Sequence, residues 1–428
     1  MKIVIIGAGS VAFTPALVSG FGVDRRYQGS TIGLVDVDED ALGSVARFAQ
    51  RVSDVLHLDW QIEASTERRE VLPGTEVVTT AIGVGGLEAW VQDVEVPHRY
   101  GIIQPVGDTS GPGGLARALR HVPVLIQVAQ DMEQLCPEAT LYNFTNPLTV
   151  LTQAVNARTK VRCVGLCIGP ELTWDHLCRV LGIERAHTSA VIAGINHCHW
   201  VLDLRVGGED GLPMLHAALA DRAEGQPLCA ALFRRFGAYP GPGDGHVAEF
   251  YPQLIGPLVD DAEAFHGSAI RHVRRTYPEL REKMVAIAEG RLPIDASSFA
   301  KELAWEHTQL LDLLVSQQDD LGQVFYVNLP NRGYIHNLPD DVAVEIPARV
   351  DAGGIHPFAL GDLPLAVLPT MLHKVSWLDL IIEAAWEGSR EKAVQAFLND
   401  PYCTDIEAGA QLVNELIDAQ SAYLPRFS

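Results

Sequence analysis

The sequence predicts an α/β fold: a doubly wound parallel sheet in the first part of the chain and an α+β region after it. Three observations predict it. Apolar strand-like runs alternate with helical stretches as far as about residue 187, the pattern of a parallel sheet covered by helices. The first of those runs passes directly into a glycine turn and a helix. Beyond residue 187 two strand-like runs follow each other closely, and helical stretches dominate toward the C-terminus.

The opening segment is the most informative. Ile3-Val4-Ile5-Ile6 reads as a buried strand, Gly7-Ala8-Gly9 as a tight turn, and a helix is expected from about Val11 with Ser10 as its N-cap. The spacing Gly7-x-Gly9-x-x-Ala12 is the dinucleotide fingerprint of Rossmann-type sheets, with alanine at its last position. Gly7 permits the turn, Gly9 lets a pyrophosphate approach the backbone, and the helix N-terminus offers free N–H groups to the phosphates. A second strand, Thr31-Ile32-Gly33-Leu34-Val35, ends in Asp36. A carboxylate there binds the ribose hydroxyls of NAD and repels the extra phosphate of NADP. Gly7, Gly9, Ser10, Val11 and Asp36 are therefore the expected cofactor residues.

The remaining elements follow in order. A helix is expected over 40–55, strands over 60–64 and 76–82, and a second glycine-rich turn at Gly83-Val84-Gly85-Gly86, where Gly83 joins the cofactor set. Residues 115–135 have helical periodicity, with Leu119, Val122, Leu125, Ile126 and Ala129 on one side. Strands over 139–142 and 161–166 flank a helix over 148–156. After the expected domain boundary (1–187, then 188–428) come antiparallel strands over 189–195 and 198–206. Helices follow over 215–223, 261–276 and 299–316, then strands over 325–328 and 342–346, and a mostly helical stretch over 363–397. The Pro/Gly-rich stretch 239–245 reads as a shaped loop.

Composition narrows the partners. A net charge of −22 over 428 residues argues against nucleic acid and anionic membrane surfaces. No apolar run is long enough to span a bilayer, and the N-terminus reads as a core strand rather than a signal peptide. The seven cysteines show no paired framework, so reduced thiols and a cytoplasmic location are expected.

Several polar motifs fall at strand ends, where ligands of such sheets sit. They are Gly107-Asp108-Thr109-Ser110-Gly111-Pro112-Gly113-Gly114, Asn143-Phe144-Thr145-Asn146-Pro147 and Cys167-Ile168-Gly169-Pro170, with Asn196-His197-Cys198-His199 lying on or between strands. Cys and His are both metal ligands when deprotonated. Two ligands leave coordination positions open for substrate oxygens. His197 and His199 share a strand face by alternation, so spacing leaves open which of them binds.

These residues together resemble glycoside hydrolase family 4, the NAD- and divalent-metal-dependent glycosidases. The match runs nearly end to end, through Gly165-Leu166-Cys167, Gly194-Ile195-Asn196-His197, Gly243-Asp244-Gly245-His246-Val247-Ala248-Glu249-Phe250 and Asn328-Leu329-Pro330-Asn331-Arg332-Gly333. The resemblance implies a fold like that of lactate and malate dehydrogenases with an enlarged C-terminal substrate domain, a homodimer or homotetramer, and Cys167 and His197 as ligands of Mn²⁺. It further implies oxidation of the sugar at C3 by NAD⁺, loss of the C2 proton, elimination of the glycosidic oxygen, addition of water and re-reduction. Asp108 is the expected general acid, its pKa raised by burial or a like charge, and Tyr239 and Asp244 are alternative C2 bases. Asn143 and Asn146 are expected on the sugar or the nicotinamide, and His246, Glu249 and Arg332 at the sugar site. Where the family often has His or Asn after the cysteine, Ile168 stands here. The loop around Tyr239, Asp244, His246 and Glu249 resembles members acting on unphosphorylated sugars, so α-glycosides of such sugars or of uronic acids are the expected substrates. An NAD-dependent dehydrogenase and a non-catalytic NAD-binding regulator are the rival readings.

Overall fold

Alternate residues of the first strand feed two different cores. In a computed structural model, which describes residues 1–220, 225–259, 261–294 and 308–427, Val4 and Ile6 pack into one apolar cluster and Ile3 and Ile5 into another. A strand alternates its side chains between faces, so both faces of the sheet are buried, as a parallel sheet requires. The parallel strands are β1 (Lys2–Ile6), β2 (Thr31–Val35), β3 (Gln61–Ser65), β4 (Val77–Thr80), β5 (Thr140–Asn143) and β6 (Cys163–Gly165). Their spatial order is 3-2-1-4-5-6, the order of dinucleotide-binding sheets.

Helices connect these strands: α1 (Thr14–Val23), α2 (Glu39–Leu56), α3 (Arg68–Val71), α4 (Gly86–His98), α5 (Gly111–Leu135), α6 (Leu148–Arg158) and α7 (Gly169–Leu181). The first starts later than expected. Thr14, not Val11, opens α1, and Pro15 sits in its first turn. Ser10 still caps the approach: its Oγ accepts from Phe13 N at 3.3 Å and its carbonyl from Thr14 N at 3.1 Å. The extra turn carries the chain across the end of β1 before the helix begins.

The second half adds β7 (Thr188–Ile195), β8 (Cys198–Val206), β9 (Glu209–Asp210), β10 (Tyr239–Gly241), β11 (Gln323–Pro330), β12 (Ala343–Asp351) and β13 (Gly354–Pro357), all antiparallel to their partners. They join the same sheet, because β11 pairs with β6 at Asn328 and Gly165. The stretch expected as a loop over 239–245 therefore begins as strand β10, hydrogen-bonded to β8, and ends in the short helix α10 (Asp244–Val247). Between β9 and β10 in the chain lie α8 (Leu212–Ala218) and α9 (Pro227–Phe236). Of the helix expected over 215–223, residues 221–223 lie outside the described residues; of that over 299–316, residues 299–307 do, and the helix is seen from Thr308 to Gln318. The helical C-terminal part holds Leu368–Val375, Leu378–Glu387, Arg390–Leu398 and Ile406–Ala419. None of the seven cysteines is in a disulfide. Among the described residues no helix is long and apolar enough to cross a membrane.

Candidate active site

Parallel strands end on one edge of the sheet, and the polar motifs gather there. At the end of β1, Gly7 N and Ala8 N donate to Val35 O. Gly9 N donates to Asp36 Oδ2 at 2.7 Å, and Asp38 N donates to Oδ1 at 3.0 Å. A Cβ on Gly9 would lie 2.8 Å from Asp36 Oδ2, so only glycine allows the turn and the acid to meet. This is the cradle a dinucleotide needs: bare backbone at the turn and a carboxylate at the end of the second strand with lone pairs beyond those two bonds. Gly83 lies exposed in the loop after β4, with nothing close to where its Cβ would be, and Val11 in the turn before α1.

Cys167 follows β6 and faces the β7–β8 turn. Its Sγ lies 3.5 Å from His197 Nε2 and accepts from Gly169 N at 3.3 Å. His197 is held at φ +63°, the left-handed region that a non-glycine residue enters at a cost and that clusters at functional sites. The turn is braced from below. His199 Nδ1 meets Glu345 Oε2 at 2.6 Å, and Glu345 Oε1 accepts from Asn196 and Asn328 side chains at 3.1 and 2.8 Å. The other ring nitrogen of His199 meets Thr173 Oγ1 at 2.9 Å. Both nitrogens of His199 are thus engaged and the residue has no exposure, whereas His197 Nε2 faces Cys167 Sγ. Burial, with some help from His246, pushes the His197 pKa down to about 3. The ring is thus neutral at physiological pH, as a metal ligand must be.

Asp108 stands beside His197, hydrogen-bonded at both carboxyl oxygens. Its Oδ1 accepts from Thr109 Oγ1 at 2.6 Å and its Oδ2 from Asn146 Nδ2 at 2.8 Å. Burial works to raise its pKa, but His197, His246, Arg117 and the Thr109 hydroxyl outweigh it and hold the group below the usual carboxylate range. Arg117 and the Thr109 hydroxyl are the partners that favour its charge while both imidazoles are neutral. Arg117, on α5, stacks over Trp90 and donates to Asn146 O at 3.3 Å.

The two expected C2 bases lie in different surroundings. Asp244 accepts from Leu228 N and Cys229 N at 2.9 and 2.8 Å, capping the first turn of α9. Tyr239 is 2% exposed and packs against Phe233 and His176; its hydroxyl has no partner among the described residues. Burial raises its pKa far above the ordinary phenol value. Asn143 bonds within its own surroundings, to Thr80 Oγ1, Thr145 N and Thr145 O. Asn146 orients Asp108 instead.

His246 is the residue that comes forward. Its ring lies 3.8 Å from that of His197, centroid to centroid, and its Nδ1 is buried without a hydrogen-bond partner among the described residues. Potential donor atoms of Asp108, His197 and His246 all lie within 4.8 Å of one another. Glu249 sits behind the Asp108 loop. Its Oε1 accepts from Val106 N and Gly107 N at 2.8 and 2.6 Å, and burial raises its pKa to about 8. Buried Lys374 bonds Ser110 Oγ and Asp400 in the same layer. Arg332 is exposed on the loop after β11, its backbone N bonded to Asp340 O, and among the described residues its guanidinium makes no hydrogen bond or ion pair with the site.

One other cluster places possible ligands within 4.8 Å, Glu95, His98 and His266. His266 Nδ1 accepts from Gln104 N at 3.1 Å, so its Nε2 carries the proton and has no lone pair for a cation. The Cys167–His197 pair has no such obstacle. A sulfur and an imidazole nitrogen suit a divalent transition-metal ion better than Mg²⁺ or Ca²⁺.

Fold and site together define a dinucleotide-binding α/β protein whose sheet edge carries a paired thiol and imidazole. The chain belongs to glycosyl hydrolase family 4: residues 2–183 match the model described as family 4 glycosyl hydrolase, and residues 192–403 match that of its C-terminal domain. It is 30% identical to an alpha-galactosidase of Rhizobium meliloti, over 100% of this chain and 90% of the relative. It is also 30% identical to an alpha-galacturonidase of Bacillus subtilis, over 97% of each. A Thermotoga maritima 6-phospho-beta-glucosidase, solved with manganese, NAD⁺ and glucose-6-phosphate, has the same fold, with TM-score 0.83, 24% identity and 99% of both chains covered. The resemblance drawn from the motifs is thereby borne out: the protein is a glycoside hydrolase.

Proposed function

We propose that the protein hydrolyses α-glycosides of unphosphorylated sugars or uronic acids, with NAD⁺ and Mn²⁺ as cofactors. The observation that carries this reading is the 3.5 Å approach of Cys167 Sγ to His197 Nε2 on the edge where the glycine turn and Asp36 lie. The alpha-galactosidase and alpha-galacturonidase relatives, which match nearly the whole chain, support the substrate class. When bound, NAD⁺ supplies a hydride acceptor for the sugar and the cation a Lewis acid for adjacent sugar oxygens. Gly7, Gly9 and Asp36 would hold the first, and Cys167 and His197 the second.

The chain's own groups do the proton work. His246 is the base for the C2 proton: it is neutral, because burial lowers its pKa, and its Nδ1 is unengaged. Arg117 and Asn146 hold Asp108 in place and keep it ionised. The Glu249 carboxyl pins the backbone of Val106 and Gly107 and so fixes the loop that carries Asp108.

Aryl α-galactosides, α-galacturonides, α-glucosides and their 6-phosphates, each with NAD⁺ and Mn²⁺, test the reading. Release of the aryl alcohol from an unphosphorylated α-glycoside without net NADH is the expected result. Stoichiometric NADH, or turnover of 6-phosphates alone, overturns it.

A further inference from the structure

The hydrogen bonds around His197 determine which of its nitrogens faces the cation, and a hydroxyl decides it. Thr109 Oγ1 lies 2.6 Å from Asp108 Oδ1 and 2.8 Å from His197 Nδ1. Asp108 and His197 do not bond directly; their nearest atoms are 3.9 Å apart. The Asp108 carboxylate accepts at both oxygens, from Thr109 at one and from Asn146 Nδ2 at the other. Thr109 Oγ1 is the donor in its bond to Asp108 Oδ1, and a hydroxyl has one proton to give, so that proton points at Asp108. The hydroxyl oxygen then faces His197 as an acceptor, and the ring must carry its proton on Nδ1. That leaves the Nε2 lone pair, which is the atom facing Cys167 Sγ at 3.5 Å.

We propose that Asp108, acting through the Thr109 hydroxyl, locks His197 in the Nδ1–H tautomer and so presents Nε2 to the cation shared with Cys167. Asp108 and Thr109 are then positioning residues for the metal ligand. A second partner on a ligating imidazole commonly fixes its tautomer; here a hydroxyl is interposed between carboxylate and ring. Reversal of the hydroxyl would put the ring proton on Nε2, against the sulfur, and leave the cation without an imidazole lone pair. The backbone holds Thr109 in register. A Cβ at Gly114 would lie 2.4 Å from the Thr109 carbonyl carbon, so the first turn of α5 packs directly on the residue that carries the hydroxyl. Asn146 contributes by holding the second carboxylate oxygen, which keeps Oδ1 turned toward the hydroxyl.

The inference rests on the metal-dependent reading of the site, and the test separates the two. Co²⁺ is the probe, titrated into the full-length protein with NAD⁺ present and followed by the thiolate-to-cobalt absorption band. Thr109→Val, which keeps the shape and removes the hydroxyl, is expected to weaken Co²⁺ binding by about 10–100-fold, with NAD⁺ affinity unchanged. Thr109→Ser is expected to restore wild-type Co²⁺ affinity. Asp108→Asn offers a donor to Asn146 or to Thr109 where an acceptor stood, and is expected to weaken Co²⁺ binding at least as much as Thr109→Val. Co²⁺ affinity in Thr109→Val and Asp108→Asn equal to wild type, while Cys167→Ser abolishes the band, overturns the tautomer lock and leaves the metal site standing. Absence of the band in the wild-type protein overturns the metal reading and the lock with it. If Thr109→Val does not fold, the comparison of Asp108→Asn with wild type decides in the same way.

Discussion

Cys167 Sγ and His197 Nε2 lie 3.5 Å apart although 30 residues separate them. The first follows β6 of the parallel half and the second occupies the turn between β7 and β8. The continuous sheet brings both to one edge. Cys167→Ser removes the softer donor of the pair. Divalent-cation affinity should fall by more than the ~10–100-fold that loss of an outer partner costs, with NAD⁺ binding retained, as titration calorimetry with Mn²⁺ would show. Wild-type Mn²⁺ affinity in that variant would remove the sulfur from the site.

His246 is expected to act on the substrate and not on the cation. His246→Gln should keep Co²⁺ affinity and lower kcat by ~10²–10⁴, the usual range for a lost general base. Exchange of the substrate C2 hydrogen with deuterated solvent should slow in parallel. Unchanged exchange with lowered turnover would move the base elsewhere.

Asp244 caps α9 through Leu228 N and Cys229 N. Asp244→Asn keeps one of the two acceptors and should retain turnover with part of the stability lost, whereas Asp244→Ala removes both and should lower stability by about 1–2 kcal/mol. Denaturant unfolding and a kinetic assay on the same samples distinguish a cap from a base. A loss of turnover near 10³-fold in Asp244→Asn, at unchanged stability, would restore Asp244 as the proton acceptor.

The Tyr239 hydroxyl is buried and lacks a partner among the described residues, so its removal gives up no hydrogen bond there. Tyr239→Phe should leave turnover intact and stability unchanged or raised by about 1 kcal/mol. The readouts are kcat and Tm.

Glu249 makes stability depend on pH. Its carboxyl shifts from 4.5 to about 8 on folding, chiefly because burial penalises the charge. Between those values the folded protein binds a proton that the unfolded chain does not. Stability from this group is therefore full below about 4.5 and is lost as pH rises through about 8, with a slope of up to about 1.4 kcal/mol per pH unit. Glu249→Gln keeps an acceptor for Val106 N and Gly107 N and removes the titration. Its stability profile should be flatter over that window in urea unfolding at several pH values; an unchanged slope would show that the group does not titrate there.

Local chemistry made the dinucleotide half legible. Gly9 and Asp36 could be read from the sequence because each follows its strand immediately, and strand, turn and helix are specified by neighbours a few residues apart. The onset of α1 was read three residues early because Ser10 caps a turn that precedes the regular helix. Residue type also singled out Cys167 and His197. The choice between His197 and His199 was not legible, since strand alternation treats them alike. It depends on Glu345, 146 residues from His199, and on Thr109, 88 residues from His197. Arg117 left no signal: on an amphipathic helix such as α5 an arginine reads as a solvated face.

The sequence by itself determined the βα alternation of the cofactor half, the family, and the two side chains suited to grip a cation. The tertiary structure alone decided what each polar group bonds to. It turned Asp244 into a helix cap, closed Asn143 on its own loop, left a nitrogen of His246 unengaged and tied Asp108 to His197 through a hydroxyl. The reason is one of range. Backbone turns and apolar periodicity are set by residues close in the chain, whereas the hydrogen bonds of a buried polar group are satisfied by whatever the fold brings beside it.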